Sequence, residues 1–328
     1  MKTRLNALLV LTLFAVILSA CAPQPPAEDL TPVTVQLKWI HQAQFAGFYM
    51  AVDKGFYAKE GLDVTLNPGG IGIDITDEVV SGRAEFGLIG AEYVLIRRSE
   101  GIPIKAIATT YRNNPFVLVS MPDSGITTPQ DFPGHNANLG GIDGLIQFNA
   151  LLRKLDIEDV EIIPYTSEIE NFYNGEVDIT PAFSAGSLIG IQQEYPDVNV
   201  IWPLDYGIHL YSDTIFTTDE LIAEDPDLVL RFLRATLKGH QYALENLEEA
   251  TEICLKYAED KDPEVQSAML EASLPLIYTG YDEIGWMRYE VWQDMYDILN
   301  EQELLAGPVN IEEAYTLEFL QQIYGDLQ

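Results

Sequence analysis

The amino-acid sequence predicts an α/β protein made of two lobes. Segments with the apolar alternation of β-strands take turns with segments of helical periodicity along most of the chain, a pattern typical of α/β folds. The chain has 328 residues, more than one hydrophobic core usually fills, so two lobes are expected. Apolar residues make up 47% of the chain, which is enough to build both cores.

The first predicted unit is a strand, a helix and a second strand. The apolar alternation over residues 33–37 predicts the first strand, a helix is predicted from about Phe45, and the second strand is predicted at 62–66. The loop after the first strand carries Trp39 and His41. Ligands of open α/β sheets bind at the carboxyl ends of the strands, so this loop is expected to line a pocket.

The alternation continues to about residue 216. The next elements predicted are a helix at 74–81, a strand at 85–89, a helix at 94–99, a strand at 104–110 and an apolar crossing at 116–121. A second lobe is predicted with strands at 136–139, 160–163, 177–180 and 198–202, and with helices ending at 155, around 167–173 and at 188–194. A return crossing is predicted near 206–216, followed by helices at 226–246, 246–259, 265–274, 286–300 and 311–324.

Two motifs in the opening segment carry a family resemblance. F-A-G-F-Y at residues 45–49, joined to G-F-Y-x-x-E-G-L-D-V at residues 55–64, resembles the binding proteins for thiamine pyrimidines and riboflavin, a family that includes the eukaryotic pyrimidine synthase. The resemblance implies a type II periplasmic-binding-protein fold, in which each lobe is a mixed sheet flanked by helices and two hinge crossings join the lobes. Lobe I is then expected at 33–118 and 205–328, and lobe II at 119–204.

The N-terminus predicts export and lipid anchoring. Lys2 and Arg4 precede the apolar run 7–18, which is too short to span a bilayer and is typical of a signal peptide, expected over residues 1–20. The sequence L-S-A-C that ends at Cys21 resembles the bacterial lipobox, which implies acylation of Cys21 and a tether over 21–32. The alternative is an ordinary signal peptide followed by a chance cysteine. The expected location is the outer side of the cell membrane.

Charge and composition exclude several function classes. The chain has 18 basic and 51 acidic residues, a net charge of −33, and removal of Lys2 and Arg4 leaves 16 basic residues and a net charge of −35. Such a surface repels nucleic acid and anionic lipid. The sequence lacks a phosphate-loop motif and Cys/His metal spacing. We therefore expect no cofactor, no metal, no nucleic acid partner and no enzymatic activity.

Candidate ligand contacts of the first lobe follow its predicted strands. Trp39 is expected to stack on a planar ligand, while His41 is balanced between ligand contact and packing. Phe45 could line the pocket or belong to a core face of the helix. Where the third strand meets a helix, the amides after Gly90 could bond a ligand. Tyr93 is ranked slightly above Glu92, which could serve only as a first-turn charge.

Candidates of the second lobe and of the return crossing complete the predicted site. Gly141 lets the backbone approach a ligand, and Asp143 could accept a hydrogen bond or cap a helix. Phe183 is expected after a strand, as the second face of an aromatic sandwich. Asp205, Tyr206 and Tyr211 are expected to line the cleft from the return crossing. Thiamine-pyrimidine members of the family carry Asn-x-Glu near Phe183, whereas residues 181–190 here contain no acidic residue.

These features predict the solute-binding lipoprotein of an ATP-driven importer. The expected ligand is riboflavin, and a thiamine pyrimidine, either formylaminopyrimidine or hydroxymethylpyrimidine, is the alternative. The expected partners are a membrane permease and its ATPase, and the protein is expected to be a monomer that closes on residues 117–121 and 205–213. A remote alternative is an enzyme like the pyrimidine synthase, which carries a cysteine cluster, whereas this chain has only Cys21 and Cys254.

Overall fold

A five-stranded mixed sheet, here called the large sheet, organises the first part of the fold. The computed structural model describes residues 30–140, 142–164 and 169–325. The large sheet has the order β2-β1-β3-β10-β4 and comprises β1 (Thr31–Gln36), β2 (Leu62–Asn67), β3 (Phe86–Ile89), β4 (Ile104–Thr109) and β10 (Thr214–Thr218). β1 runs parallel to β2 and β3, whereas β10 is antiparallel to β3 and β4. The carboxyl ends of β1 and β3 therefore lie at one edge, beside the amino end of β10.

Two smaller sheets form the second part. β5 (Phe116–Ser120) lies between β8 (Thr180–Phe183) and β9 (Asn199–Ile201) and is antiparallel to both. β6 (Asn136–Asn138) and β7 (Glu161–Ile163) form a parallel pair, and Ala137 bridges to Ile179. The chain thus leaves the large sheet through the connection 110–115 and returns to it through the connection 202–213. The expected lobe boundary at 118 lies within β5, and the division into lobes stays a prediction.

Helices flank both sheet groups. They are α1 (Ala46–Asp53), α2 (Phe56–Lys59), α3 (Ile75–Val80), α4 (Ala91–Ser99), α5 (Ile142–Leu155), α6 (Glu170–Tyr173), α7 (Ser187–Glu194), α8 (Asp219–Glu224), α9 (Pro226–Glu245), α10 (Leu247–Tyr257), α11 (Pro263–Ile277), α12 (Tyr289–Glu301), α13 (Ile311–Ala314) and α14 (Glu318–Gly325). Short 3-10 helices occur at Ala43–Phe45, Pro129–Asp131 and Pro203–Tyr206. The predicted α/β class with mixed sheets is confirmed. Among the described residues, no helix combines the length and the apolar character that a bilayer crossing requires.

Two sequence predictions of secondary structure are wrong in detail. The strand predicted at 177–180 begins only at Thr180 and continues to Phe183, because β8 pairs with β5 from Phe116 to Val119. The helix predicted at 311–324 is interrupted at Tyr315, which bridges to β4 and stacks on Trp292 with ring centroids 5.1 Å apart. In both cases pairing with a distant strand overrides the local pattern.

Close packing between α1 and α9 fixes the helix that follows the loop after β1. A Cβ at Gly239 would collide with the carbonyl oxygen of Gly47, and a Cβ at Gly47 would collide with the ring of His240. The two helices can approach this closely only because both positions are glycine. Phe48 completes the contact, edge to face with His240 at a centroid distance of 5.2 Å. The start of α1, and with it the loop after β1, is therefore held in place.

Candidate ligand-binding site between the strand ends

The loop after β1 presents an accessible aromatic ring. Trp39 is 39% exposed and its neighbour Ile40 is 40% exposed, so the indole is not packed beneath the following helix. The backbone of the loop is fixed, since the Gly69 amide donates to the Trp39 carbonyl oxygen at 2.9 Å. The predicted availability of Trp39 for stacking agrees with this exposure, and its contact with a ligand stays a prediction.

A buried carboxylate ties this loop to the return connection. Asp213, which precedes β10, is 1% exposed. Its Oδ1 lies 3.1 Å from Nζ of Lys38, and its Oδ2 accepts a hydrogen bond of 2.6 Å from Nε2 of Gln44. Gln42 in turn donates to Oε1 of Gln44 at 2.6 Å. A buried carboxylate is tolerated when an opposite charge and hydrogen bonds satisfy it, so this network positions the loop and neutralises Lys38.

Lys38 also links the large sheet to the smaller sheet of β5, β8 and β9. Its Nζ lies 5.6 Å from the centroid of the Phe183 ring, within the range of a cation–π contact. Phe183 is the last residue of β8 and pairs with Phe116, so it lies within the strand and not after it as predicted. The contact brings the carboxyl end of β1 and the carboxyl end of β8 to the same place.

A buried hydroxyl lies directly after Phe183. The Ser184 amide donates to the Pro115 carbonyl oxygen at 2.8 Å, but Ser184 Oγ is buried and has no hydrogen-bond partner among the described residues. Buried polar atoms are usually satisfied, and an exception needs an explanation. A ligand group between the strand ends would supply one.

His41 is engaged within its own loop. Its Nδ1 lies 3.0 Å from the hydroxyl of Tyr49, whose ring stacks on Tyr257 at a centroid distance of 4.1 Å. Burial lowers the pKa of His41, so the imidazole is neutral at pH 7. Of the two roles considered for His41, these contacts favour packing of the loop.

The end of β3 brings a carboxylate to the same edge. Glu92, in the first turn of α4, is 3% exposed, and its carboxylate folds back over Gly90, where a Cβ would collide with it. Glycine at position 90 is thus explained by the close approach of Glu92. Tyr93 is half-buried in the same turn. Because β3 lies between β1 and β10, these residues share an edge with Trp39 and Asp213.

Two predicted contacts are corrected by burial. Phe45 is completely buried, because it ends the 3-10 helix that leads into the buried start of α1, so it belongs to the core and lines no open surface. Tyr211 is also buried, and its hydroxyl accepts a hydrogen bond of 3.0 Å from the Arg288 amide. Burial raises the pKa of Tyr211 to about 12. The hydroxyl is therefore occupied inside the protein and is not presented to a ligand.

Two of the remaining predicted residues lie in the 3-10 helix Pro203–Tyr206. Asp205 is exposed and Tyr206 half-buried in the 3-10 helix beside α5, where Lys154 donates to the Gly207 carbonyl oxygen at 2.9 Å. Gly141, the side chain of Asp143 and Cys21 lie outside the described residues.

The prediction from sequence missed Lys38, Gln44, Asp213 and Ser184. Lys38 carried a signal, because it ends the alternating run and stands beside Trp39 in a chain with few basic residues. Asp213 and Ser184 carried none, since they reach the site only through the pairing of β10 and β8 with distant strands.

Comparison with known proteins identifies the family. The model of the family described as NMT1/THI5 like matches residues 42–250, which is more than half of the chain. The chain belongs to the NMT1/THI5-like family. The similarity to the riboflavin-binding protein RibY of Chloroflexus aurantiacus is 26% identity over 91% of this chain and 89% of that protein. The formylaminopyrimidine-binding protein of Halalkalibacterium halodurans is 25% identical over 95% of this chain and 98% of its own length.

Other relatives are enzymes by name, and solved structures confirm the fold. The 4-amino-5-hydroxymethyl-2-methylpyrimidine phosphate synthase of Legionella pneumophila is 22% identical over 90% of this chain and 95% of its own length. The periplasmic aliphatic sulphonate binding protein SsuA of Escherichia coli aligns with a TM-score of 0.69 at 14% identity, over 86% of this chain and 91% of that protein. The fold is that of the periplasmic binding proteins, as predicted.

Proposed function

We propose that this NMT1/THI5-like protein is the ligand-binding component of an ABC importer and captures a planar N-heterocyclic vitamin, with riboflavin as the first candidate. The observation that carries the proposal is the contact of Lys38 with the Phe183 ring. This contact supports the proposal because Lys38 is the neighbour of the half-exposed Trp39, while Phe183 belongs to a different sheet. Aromatic walls with a few directed polar groups suit a flat heterocycle.

The polar groups at this opening favour a neutral ligand with hydrogen-bond donors. Lys38 is compensated by Asp213 at 3.1 Å, and His41 is neutral at pH 7 because burial lowers its pKa. The carboxylate of Glu92 and the hydroxyl of Ser184 can accept hydrogen bonds from N–H and O–H groups. Riboflavin offers such donors on its ring and on its ribityl chain.

A thiamine pyrimidine is the second candidate ligand. The relative that binds formylaminopyrimidine is 25% identical, close to the 26% of the riboflavin-binding relative. Riboflavin is preferred because residues 181–190 contain no acid to bond a pyrimidine edge. An enzyme like the pyrimidine synthase is a remote third possibility, suggested only by the names of the less similar relatives.

The proposed mechanism is closure of two lobes on the ligand. The connections 110–115 and 202–213 join the large sheet to the smaller ones and would act as the hinge, in place of the 117–121 expected from sequence. The closed protein, a monomer anchored through acylated Cys21 on the outer side of the membrane, would deliver its ligand to a permease that an ATPase drives.

Titration of riboflavin into the mature protein, followed by quenching of flavin fluorescence, tests the proposal. We expect saturable 1:1 quenching, weakened roughly tenfold or more by Trp39→Ala and by Phe183→Ala, because loss of one stacking ring removes over 1 kcal/mol. Tyr289→Ala is the matched control, since Tyr289 is 45% exposed and lies on α12. Quenching that none of the variants changes would overturn the site.

A second titration separates the ligand from the transport role. If riboflavin does not quench but formylaminopyrimidine raises the melting temperature, the ligand assignment is wrong and the binding role is retained. If neither compound binds, the proposed function is contradicted.

A further inference from the structure

A large cavity lies on the outer side of α9, away from the strand-end site. Its volume is about 1070 Å³, comparable with the upper end of the range of roughly 300–1,000 Å³ for small-molecule pockets. α2, the end of α11 and α14 surround it, and the face of α9 that forms its floor is opposite the one that packs on α1 through Gly239 and His240. None of the residues proposed to contact the vitamin lines this cavity.

The helical spacing of α9 divides the cavity into a polar side and an apolar side. Arg234, Lys238 and Gln241 follow one another at intervals of three and four residues and so form one line along the helix. Leu237 and Leu244 are seven residues apart, about two helical turns. They lie beside the line of polar residues on the surface of α9. The apolar side is completed by Leu274 of α11, by Ile284 in the connection between α11 and α12, and by Ile323 of α14.

The polar side holds two lysines that are not neutralised. Nζ of Lys59 and Nζ of Lys238 lie 5.4 Å and 4.8 Å from the centroid of the Phe56 ring. No carboxylate of the described residues lies within 4.0 Å of either ammonium group. By contrast, Arg234 is paired with Glu60 at 2.9 Å.

The other acidic residues that line the cavity do not pair with the two lysines. Glu245 accepts a hydrogen bond of 3.0 Å from Gln241, and Glu283 lies near Tyr324. In a chain with a net charge of −33, two unneutralised ammonium groups around one ring form a local positive site. The overall negative charge repels anions, so only the local field of these two ammonium groups can draw the head of an anion to this side of the cavity.

We propose that this cavity is a second binding site, for an amphiphilic anion with a single hydrocarbon chain. The anionic head lies between Lys59 and Lys238 beside Phe56, and the chain covers Leu237 and Leu244 and the apolar residues facing them. Burial of methylene groups supplies most of the affinity, and the two ammonium groups select an anion over a cation of the same length.

Isothermal titration at pH 8 with dodecanoate, below its micelle concentration, tests the proposal. We expect one saturable site on the full-length mature protein. The double variant Lys59→Gln/Lys238→Gln should bind roughly tenfold more weakly or worse, because it removes both positive charges beside the anionic head. Lys256→Gln is the matched control, since Lys256 is 59% exposed and bonded to Asp53 on a different face. It should bind like the wild type.

Three results would overturn the second site. They are the absence of saturable dodecanoate binding, equal binding by the double variant, and equally tight binding of dodecyltrimethylammonium. Riboflavin titration of the double variant distinguishes the two sites. The proposed vitamin site lies elsewhere, so the affinity of the double variant for riboflavin should equal that of the wild type. Conversely, Trp39→Ala should leave dodecanoate binding intact, because Trp39 does not line this cavity.

Discussion

Residues 38–44 and residues 45–51 follow one another in the chain but differ in almost every physical respect. The first stretch is a loop that enters a 3-10 helix at Ala43, with a half-exposed indole at Trp39 and a hydrogen-bonded network around Asp213. The second is buried throughout and packs on α9 at Gly47 and Phe48. Aromatic residues a few positions apart thus take opposite roles, because one group follows the end of a strand and the other faces a helix.

Truncation of one ring from each stretch should give the largest contrast. Phe45→Ala should lower the free energy of unfolding by about 3–5 kcal/mol, since the ring is completely buried. Trp39→Ala should lower it by only roughly 1–2 kcal/mol, because 39% of the residue is already in water. Denaturant unfolding of both variants provides the measurement. Equal losses would remove the distinction between the two stretches.

A matched pair of glycines tests how tightly the packed stretch is held. Gly239→Ala should cost about 2–3 kcal/mol, since the new methyl group collides with the backbone of Gly47. Gly190→Ala, in α7, meets no atom within 4 Å and should stabilise the protein by roughly 0.5–1 kcal/mol through its better helix propensity. Urea unfolding of the two variants distinguishes them, and a neutral Gly239→Ala would contradict the close approach of the helices.

The packed side should also depend on pH through His240. Burial lowers the pKa of His240 to about 4. Below its ordinary pKa of about 6.5, the unfolded chain binds a proton that the folded protein does not, so stability falls as pH falls from about 6.5 towards 4. Between pH 7 and pH 5 the loss is about 2 kcal/mol.

The variant His240→Leu isolates this contribution. The difference in unfolding free energy between wild type and variant should shift by about 2 kcal/mol between pH 7 and pH 5, in favour of the variant at pH 5. Chemical denaturation at both pH values gives the difference. A constant difference would mean that His240 titrates in the folded protein as it does in the unfolded chain.

Residues 38–44 can be destabilised through Asp213, the carboxylate that they contact, with a smaller expected loss of stability. Asp213→Asn keeps the shape but removes the charge opposite Lys38, and should cost about 1–2 kcal/mol because the pair is largely buried. Asp260→Asn is the control, since Asp260 pairs with Lys261 but is 79% exposed, and should cost under about 0.5 kcal/mol. Thermal unfolding of both variants compares the pairs, and equal shifts would contradict the positioning role of Asp213.

The sequence predicts most of the fold because most elements carry local signals. Apolar alternation and glycines locate β1 and β2, and helical periodicity locates α9 to α12 within a few residues. β8 was displaced and the last predicted helix was divided because pairing with β5 and β4 decides them. The strength of a local pattern therefore determines which elements can be predicted.

The candidate site was less predictable, because side chains meet there from distant segments. Trp39 and Phe183 could be proposed from strand ends and from resemblance. The pairing of Lys38 with Asp213 depends on the antiparallel position of β10 in the large sheet, which no local pattern encodes. Phe45 and Tyr211 were misassigned because helical spacing and a place in a crossing segment do not reveal which face is buried.

A crystal structure of the riboflavin complex tests the central claim most directly. The isoalloxazine ring should lie between the carboxyl ends of β1 and β8, in contact with both Trp39 and Phe183. Riboflavin bound in the cavity on α9, or anywhere without contact to either ring, would contradict the assignment of the vitamin site to the strand ends.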